Sequence, residues 1–288
     1  YLACVSYADA MLGRVLDAIA EGPNADNTVV ILLSDHGYHH GEKFDWGKHT
    51  LWERTSNIPL IIAGPDVARN TKVDATVSLI DLFPSVTGLA QVEDQQKRDG
   101  VSLVQVLKAP AVARDRKALR PGMKLNEYAA MTRDWRYIHY ADGGEVLYQD
   151  KKDPNEWHNL AGRSEHAKVM QEMRQSAPKE FAPPGPAKNE LKLVTEGEGF
   201  RWEKRVSKPS QKSDGKDQRA PKPRNKKKKN ILMIVCDDLN THVSPAGYEP
   251  ITTPHMHRLA AEAMTFNRAF CQYPVCGPSR ASFLSGLY

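Results

Sequence analysis

Near the end of the chain, residues 275–286 read Val-Cys-Gly-Pro-Ser-Arg-Ala-Ser-Phe-Leu-Ser-Gly. Pro278 suits the first position of a helix, where its missing N–H costs nothing, so the sequence predicts that Gly277 caps the helix and that Cys276 lies just outside its positive end. Such a place attracts an anion, and Arg280 is a counter-charge one turn further on. We interpret Cys276 as a candidate reactive cysteine beside an oxyanion site, although a buried cysteine before a capped helix has the same pattern.

Two continuous apolar runs, residues 29–33 and 230–236, predict strands that are buried on both faces. An amphipathic pattern over residues 2–20 predicts a helix before the first run, which gives half of an α/β unit. Ligands of α/β proteins bind beyond the carboxyl ends of the strands. Asp35 and His36 follow the first run there.

The second run ends in Asp237 and Asp238, and two adjacent carboxylates reach one cation only where a strand ends and the chain turns. Together with Asp35 they offer the oxygen ligands that suit Ca²⁺ and, less well, Mg²⁺. Any one of these acids alone would be explained equally well as the end of a strand. Their occurrence at two strand ends favours a shared cation next to Cys276.

The loop over residues 38–53 mixes histidines, aromatic residues and charges without a helical or strand period. Loops of this composition on an α/β scaffold commonly carry function. His39, His40 and His49 are candidates for a general acid and for substrate contacts, and each could equally be a polar surface residue. His242, four residues beyond Asp238, is a weaker candidate.

Cys-x-Pro-Ser-Arg followed by Leu284-x-Gly286 resembles the maturation signature of the type I sulfatases. Asp35-His36-Gly37, followed by a Gly-Glu element and a Gly-Lys pair, resembles the second sulfatase signature, and the histidine at position 36 is similar to the iduronate-2-sulfatase and choline-sulfatase branch. The resemblance implies an α/β, alkaline-phosphatase-like sandwich with a central mixed sheet flanked by helices. It also implies a small antiparallel subdomain of the C-terminal type.

The resemblance also implies a function, the hydrolysis of sulfuric esters of a sugar or small alcohol. In that family the cysteine is oxidised by a formylglycine-generating or anaerobic maturase, and the hydrated aldehyde attacks sulfur. Carried over to this sequence, Arg280 would hold the gem-diol and Lys48 would bind the sulfate. The metal-site residues, for Ca²⁺ rather than Mg²⁺, would be Asp35, His36, Asp237, Asp238 and Cys276. Family members are commonly periplasmic, lysosomal or secreted.

The resemblance predicts four segments along the chain. Residues 1–120 would form the second half of the α/β core and residues 230–288 its first half. Residues 121–181 would form the small subdomain, because two aromatic runs flank a Gly143-Gly144 turn. Residues 182–229 are rich in Pro and Lys, and we interpret them as a basic, disordered linker, with an anionic-surface patch as the alternative.

The order of these segments is reversed relative to the family, and a long middle segment that supplies a lysine and histidines has no match here. The reversal indicates a circular permutation through the basic segment, a junction of two neighbouring coding regions, or an incompletely assembled sequence. The missing middle keeps a catalytically incomplete fragment or binding module open as an alternative. A phosphohydrolase of the same superfamily is a third, although it would normally place Thr or Ser at the nucleophile.

Composition limits the remaining classes. With 288 residues and 40% hydrophobic content the chain can bury a sizeable core, and no apolar run approaches the ~20 residues of a membrane span. Four scattered cysteines do not predict a disulfide framework. The net charge of +5 comes from residues 201–229, which carry thirteen Lys or Arg and three acids, so no specific nucleic-acid partner is expected. Because the chain begins with Tyr1 rather than Met, we expect a fragment or a processed product.

Overall fold

The computed structural model describes residues 1–179, 191–196, 199–204 and 228–288 of the chain. The helices are α1 (Leu2–Ala20), α2 (Glu53–Ser56), α3 (Leu82–Leu89), α4 (Val104–Lys108), α5 (Ala167–Arg174), α6 (Pro254–Ala261) and α7 (Cys276–Ser285). The strands are β1 (Thr28–Ser34), β2 (His39–His40), β3 (Trp46–Gly47), β4 (Leu60–Ala63), β5 (Thr71–Val73), β6 (Val77–Ser78), β7 (Ala118–Pro121), β8 (Tyr128–Met131), β9 (Trp135–His139), β10 (Glu145–Gln149), β11 (Leu191–Glu196), β12 (Gly199–Lys204), β13 (Asn230–Cys236), β14 (Ala263–Phe266) and β15 (Ala269–Phe270).

A five-stranded mixed sheet in the order β13-β1-β4-β14-β5 forms the centre of the fold. The strands β13 and β1 run parallel with Ser34 opposite Cys236, whereas β4 is antiparallel to both of its neighbours. The last strand, β5, is parallel to β14. Residues from the two distant ends of the sequence therefore share one sheet.

Both faces of β1 are covered, as its apolar run predicts, whereas the prediction is wrong for β13, which is half-buried with Val235 exposed because it lies at the edge of the described sheet. Successive residues of β1 point to opposite faces, so Ile31 packs in one core and Leu32 in the other. The first core includes Leu82 of α3 and Phe283 of α7, and the second includes residues of α1 and α6. The predicted α/β fold with a central mixed sheet and flanking helices is confirmed.

A second, antiparallel sheet has the order β10-β9-β8-β7. Its β9–β10 hairpin lies where the aromatic runs predict it, with Trp135 opposite Gln149 and His139 opposite Glu145. The sheet has four strands, and β7 (Ala118–Pro121) crosses the boundary that we expected after residue 120. The second sheet starts before the expected boundary because Ala118 of β7 packs against Leu51 and Phe270.

The chain divides into two units, Tyr1–Ala177 together with Lys226–Tyr288, and Pro178–Asn225. Within the second unit β11 and β12 pair as an antiparallel hairpin, with Leu191 opposite Lys204. This hairpin lies within residues 182–229, which we expected to be a disordered linker, at a place where apolar and polar residues alternate along the sequence despite the charged composition. Of the predicted linker, residues 182–190, 197–198 and 205–227 lie outside the described residues.

A search of the described residues for membrane-spanning helices identifies no helix with the length and hydropathy that a span requires.

Candidate active site at the sheet edge

The carboxyl ends of β1 and β13 place the predicted acids side by side. Because these strands are parallel and in register, Asp35 and Asp237 leave the sheet at the same edge, and the Asp35 N–H donates to the Cys236 carbonyl at 3.2 Å. Asp238 follows with a left-handed backbone, φ 59°, which turns the chain away from the strand direction. The structure therefore brings acids separated by about two hundred positions to one place.

The helix that carries the cysteine begins earlier than the sequence predicts. Val275, with φ −148° and ψ 131°, is the cap residue, and Cys276 is the first residue of α7. The first helical hydrogen bond runs from the Ser279 N–H to the Val275 carbonyl at 2.9 Å. The expectation that Gly277 caps the helix is wrong, because Pro278 is tolerated anywhere in the first turn, where no N–H is needed.

Four side chains converge where the strand ends meet the start of α7. One ligand atom from each of Asp35, His36, Asp237 and Cys276 lies within 4.8 Å of the other three. The His36 Nε2 atom is 3.7 Å from Asp35 Oδ1, 3.7 Å from Asp237 Oδ1 and 3.4 Å from Cys276 Sγ. The Cys276 thiol donates to Asp237 Oδ1 at 3.3 Å.

Lys48 reaches this cluster from the loop that follows β3. Its ammonium group is 3.0 Å from Asp238 Oδ1 and 3.3 Å from Cys276 Sγ. Burial opposes the charged form of Lys48, but the hydrogen bonds to Asp238 and Cys276 outweigh it and hold the pKa of Lys48 above its ordinary value. The lysine is therefore a fixed positive charge next to the sulfur atom.

Arg280 lies on the other side of the cluster and bonds to acids. Its Nε donates to Asp35 Oδ2 at 2.9 Å, and its Nη2 atom is 3.6 Å from Asp237 Oδ2. The guanidinium group thus supports the two carboxylates that flank Cys276. The side chain is half-exposed, which leaves part of it available to an anion.

His36 is fully buried at the centre of the cluster. Burial lowers its pKa below the ordinary value, against the opposing charge of Asp35. Its Nδ1 lies 3.1 Å from the Gly37 carbonyl and 3.3 Å from Asp238 Oδ1. Since a carbonyl can only accept, Nδ1 carries the proton, and the lone pair of Nε2 faces the thiol of Cys276 at 3.4 Å and the ammonium group of Lys48 at 3.5 Å.

The other candidate histidines lie apart from these contacts. His39 is buried and its Nε2 atom is 2.9 Å from Thr50 Oγ1. The ring of His40 packs on Tyr1, with centroids 3.9 Å apart, and His242 stacks on Tyr248 at 4.0 Å. His49 is exposed with φ 79°. Within the described part of the chain, no hydrogen bond joins any of these four to Cys276.

Burial lowers the pKa of His242 to about 4, which leaves it neutral over the physiological range.

Two serines that the sequence analysis did not single out fix the strand ends. Ser34 Oγ donates to the His36 carbonyl at 2.6 Å and accepts from the Leu239 N–H at 3.0 Å. Ser279 Oγ donates to the Asp35 carbonyl, which ties α7 to the end of β1. Ser279 lies inside the quoted stretch 275–286 and Ser34 directly precedes Asp35, so their position beside Cys276 and Asp35 is the signal that could have identified them.

The surroundings of the Asp35 carboxylate show whether these residues fit a cation. Its Oδ1 atom is buried and has no hydrogen-bond partner among the described residues, although a buried unpaired carboxylate oxygen is costly. Three carboxylates face only two fixed cationic groups, Lys48 and Arg280, at this edge. A divalent cation would satisfy both the unpartnered oxygen and the excess of negative charge, so the residues fit one.

The mixed, helix-flanked sheet with the candidate site residues at its strand ends is an α/β architecture, and its likeness to a solved sulfatase fold identifies it as alkaline-phosphatase-like. The same fold is found in a solved Bacteroides fragilis protein assigned to the sulfatases, yidJ, with a TM-score of 0.52. That structure is 23% identical and the match covers 61% of this chain and 40% of the other, so the likeness concerns the fold alone.

The Sulfatase family model matches residues 1–92 and 229–288, just over half of the chain, and the chain belongs to that family. A protein of Formosa agariphila named Sulfatase is 38% identical over 179 residues, which cover 62% of this chain and 35% of that protein. Arylsulfatase K of Homo sapiens is 30% identical over 176 residues, 56% of this chain and 33% of its own. The chain thus spans about a third of the length of these curated relatives.

Proposed function

We propose that this chain carries the sulfuric ester hydrolase site of a formylglycine-dependent sulfatase. The observation that carries the proposal is the meeting of Cys276 with Lys48 and with three carboxylates from opposite ends of the sequence. Family membership supports the reaction class. The roles of the individual residues below are part of the proposal.

The reaction needs positive charge around the sulfuryl oxygens. A sulfate ester repels nucleophiles, and its transition state spreads negative charge over the non-bridging oxygens. Lys48, 3.3 Å from the sulfur atom of Cys276, is placed to bind one of these oxygens. Arg280 holds the Asp35 carboxylate at 2.9 Å and, from its exposed part, would orient the nucleophile.

The nucleophile proposed here derives from Cys276. After a maturase has converted the cysteine to formylglycine, the hydrated aldehyde attacks sulfur with one hydroxyl group and the ester alcohol leaves. Deprotonation of the second hydroxyl group then expels sulfate and restores the aldehyde. The proposal is supported by the position of Cys276 as the first residue of α7, because the positive helix end would stabilise negative charge there.

A hard cation would be held by Asp35, Asp237 and Asp238, with His36 beside them. Oxygen ligands in this number favour Ca²⁺ over Mg²⁺, which demands a stricter geometry. When bound, the cation would supply Lewis-acid stabilisation of the sulfuryl oxygens. The chain's own contribution is to hold Asp35 and Asp237 by Arg280, and Asp238 by Lys48.

The proposed substrate is a sulfated saccharide or a sulfated small alcohol, and the proposed partner is a formylglycine-generating or anaerobic maturase. The ammonium and guanidinium groups at the site suit a sulfate, and the exposed side of Asp237 leaves an approach for its alcohol. The second candidate is a fragment that binds sulfate esters without hydrolysing them. It is favoured by the coverage of about a third of the relatives' length.

The test is co-expression with a maturase, followed by mass spectrometry of the peptide that contains Cys276 and an assay with an aryl sulfate. We expect formylglycine in place of cysteine, and hydrolysis that is lost with a chelator and in Cys276→Ala. Conversion without hydrolysis, with sulfate still bound, would identify the incomplete fragment. Hydrolysis of a phosphate monoester in preference to the sulfate would identify a phosphohydrolase, and an unconverted thiol would contradict the proposal.

A further inference from the structure

We propose that, before conversion, the thiol form of Cys276 completes a four-coordinate zinc site with Asp35, His36 and Asp237. The inference goes beyond the proposed hydrolase, because it concerns the unconverted chain and a different metal. The thiol form of Cys276 would favour zinc at this sheet edge, and the formylglycine form would favour a hard cation such as Ca²⁺. Three properties of the donor atoms support the zinc site, namely their spacing, their chemical type and the direction of their lone pairs.

The spacing fits a small four-coordinate ion. Tetrahedral bonds of about 2.0–2.3 Å require donor atoms about 3.3–3.8 Å apart. Four of the donor pairs in the structure fall in that range, because His36 Nε2 is 3.7, 3.7 and 3.4 Å from Asp35, Asp237 and Cys276, and the Cys276–Asp237 pair is 3.3 Å apart. The two remaining pairs lie within 4.8 Å.

The chemical type of the donors selects the ion. Ca²⁺ and Mg²⁺ bind oxygen almost exclusively, whereas zinc binds thiolate, imidazole and carboxylate together. Half of this donor set, the imidazole of His36 and the sulfur of Cys276, is therefore suited to zinc rather than to Ca²⁺. Conversion of Cys276 to formylglycine replaces sulfur by oxygen and shifts the same edge towards hard cations.

The lone pairs already point inward. Since the Nδ1–H of His36 faces the Gly37 carbonyl at 3.1 Å, its unprotonated Nε2 faces the cluster, an arrangement common to metal-ligating histidines. Asp35 uses Oδ2 for Arg280 and leaves Oδ1, fully buried and without a partner among the described residues, towards His36.

Zinc binding would change the charges around Lys48. The ammonium group now lies 3.3 Å from the sulfur atom and compensates the nearby acids. When zinc binds, the thiol loses its proton to the buffer, and the ion takes over this compensation. The bound thiolate is also shielded from alkylating reagents, which gives a readout that is independent of catalysis.

The experiment uses the full chain expressed without a maturase, with the free thiol of Cys276 verified by mass spectrometry. Zn²⁺, Ca²⁺ and Co²⁺ are titrated by calorimetry and absorption, with Co²⁺ as the spectroscopic probe of a four-coordinate thiolate site. We expect one equivalent of Zn²⁺, a thiolate-to-cobalt charge-transfer band, and slower alkylation of Cys276 by iodoacetamide when Zn²⁺ is present. Cys276→Ala should lose the band and about 100-fold in Zn²⁺ affinity, since a strong ligand is removed.

The matched control is Cys4→Ala, because Cys4 is an exposed cysteine on α1 outside the cluster. It should keep the cobalt band and the Zn²⁺ affinity. A band that persists in Cys276→Ala, or Ca²⁺ binding to the thiol form as tight as Zn²⁺ binding, would overturn the zinc site. Either result leaves the hydrolase proposal standing, because that proposal is tested on the converted protein, and far-UV circular dichroism confirms that each variant is folded.

Discussion

Two clusters of charge in this protein contain the same groups and are organised differently. Each has three carboxylates and two cationic side chains. The sheet-edge cluster consists of Asp35, Asp237, Asp238, Lys48 and Arg280, and the interior cluster consists of Glu53, Asp150, Glu156, Arg136 and Arg268. The interior cluster connects the second sheet to α2 and to the end of β14.

In the interior cluster every acid contacts an arginine. Arg136, with no exposed surface, contacts Glu53 and lies 3.0 Å from Glu156, while Arg268 lies 2.9 Å from Glu53 and also contacts Asp150. The remaining excess of negative charge is relieved by protonation, because burial raises the pKa of Glu156 to about 7 against the attraction of Arg136. The acids of this cluster are largely buried, although Asp150 Oδ1 and Glu156 Oε1 have no hydrogen-bond partner among the described residues.

At the sheet edge the excess is not relieved within the chain. Asp237 and Asp238 keep 54% and 34% of their side-chain surface exposed, and Asp35 Oδ1 has no partner within the described residues. The comparison teaches that charge count does not distinguish a structural cluster from a functional one. The exposure of the acids does, because the partly exposed carboxylates of Asp237 and Asp238 are accessible to a ligand, whereas the interior acids are largely buried.

The largest expected effect is in the interior cluster. Arg136→Met leaves the buried Glu156 without its arginine and Glu53 with Arg268 alone, and should lower the free energy of unfolding by about 3–5 kcal/mol. Urea denaturation followed by circular dichroism measures the change. Arg133→Met is the control, because Arg133 is half-exposed and pairs with Asp134 at 3.3 Å, and it should stay within about 0.5 kcal/mol of wild type. Equal effects of the two substitutions would show that the interior cluster is not structural.

The second prediction concerns pH. The pKa of Glu156 is about 7 in the folded protein against an ordinary 4.5, so the folded state binds a proton that the unfolded state has lost between these values. The stability contributed by protonated Glu156 is complete below pH 4.5 and is lost as the pH rises through 7, by about 3 kcal/mol. Glu156→Gln does not titrate. The free energy of unfolding of the variant, relative to wild type, should therefore increase between pH 4.5 and 7.5, and a constant difference over that range would contradict the assignment.

The sequence predicts the sheet-edge cluster better than the interior cluster, because the residues of the sheet edge lie in short, recognisable stretches of sequence. The sheet edge was predictable because two apolar runs end in acids, and parallel strands bring their carboxyl ends together. Even so, the start of α7 was placed two residues too late, since Pro278 and Gly277 are compatible with several positions in a first turn.

The interior cluster has no comparable signal. Glu53, Arg136 and Glu156 stand about 20 to 103 positions apart on a short helix, a strand and a turn, and each resembles an ordinary surface charge. Only the packing of the second sheet on the first core buries them. The β11–β12 hairpin was missed for a related reason, because the charged composition of its surroundings outweighed an alternating pattern of a few residues.

The third prediction tests whether a cation relieves the excess at the sheet edge. On the protein with converted Cys276, Ca²⁺ at a hundred times its dissociation constant should raise the free energy of unfolding by about 2.7 kcal/mol, because only the folded state brings Asp35 and Asp237 together, with Asp238 3.3 Å from His36 beside them. Calorimetric unfolding with Ca²⁺ and with a chelator measures the shift. Asp17→Asn, an exposed acid of α1 that pairs with Arg258, should retain it. If Asp237→Asn retained the full shift as well, the cation would bind elsewhere.

The smallest expected effect is a gain in the free energy of unfolding, whereas Arg136→Met should cause a loss. Without a cation, Asp237→Asn removes one carboxylate from an uncompensated group and keeps its size, so the free energy of unfolding should rise by up to about 1 kcal/mol, the range of partly exposed charge interactions. Removal of a charged side chain from the interior cluster destabilises the folded protein. Removal of one from the sheet edge should stabilise it, because the acids there suit a ligand and repel one another when no ligand is bound. The gain should shrink with added salt, which screens repulsion between exposed carboxylates. Thermal unfolding in a chelator at low and high salt measures it, with Asp17→Asn as the exposed reference. A loss of stability in Asp237→Asn would mean that Asp237 serves the fold through Arg280 and Cys276 rather than a bound cation.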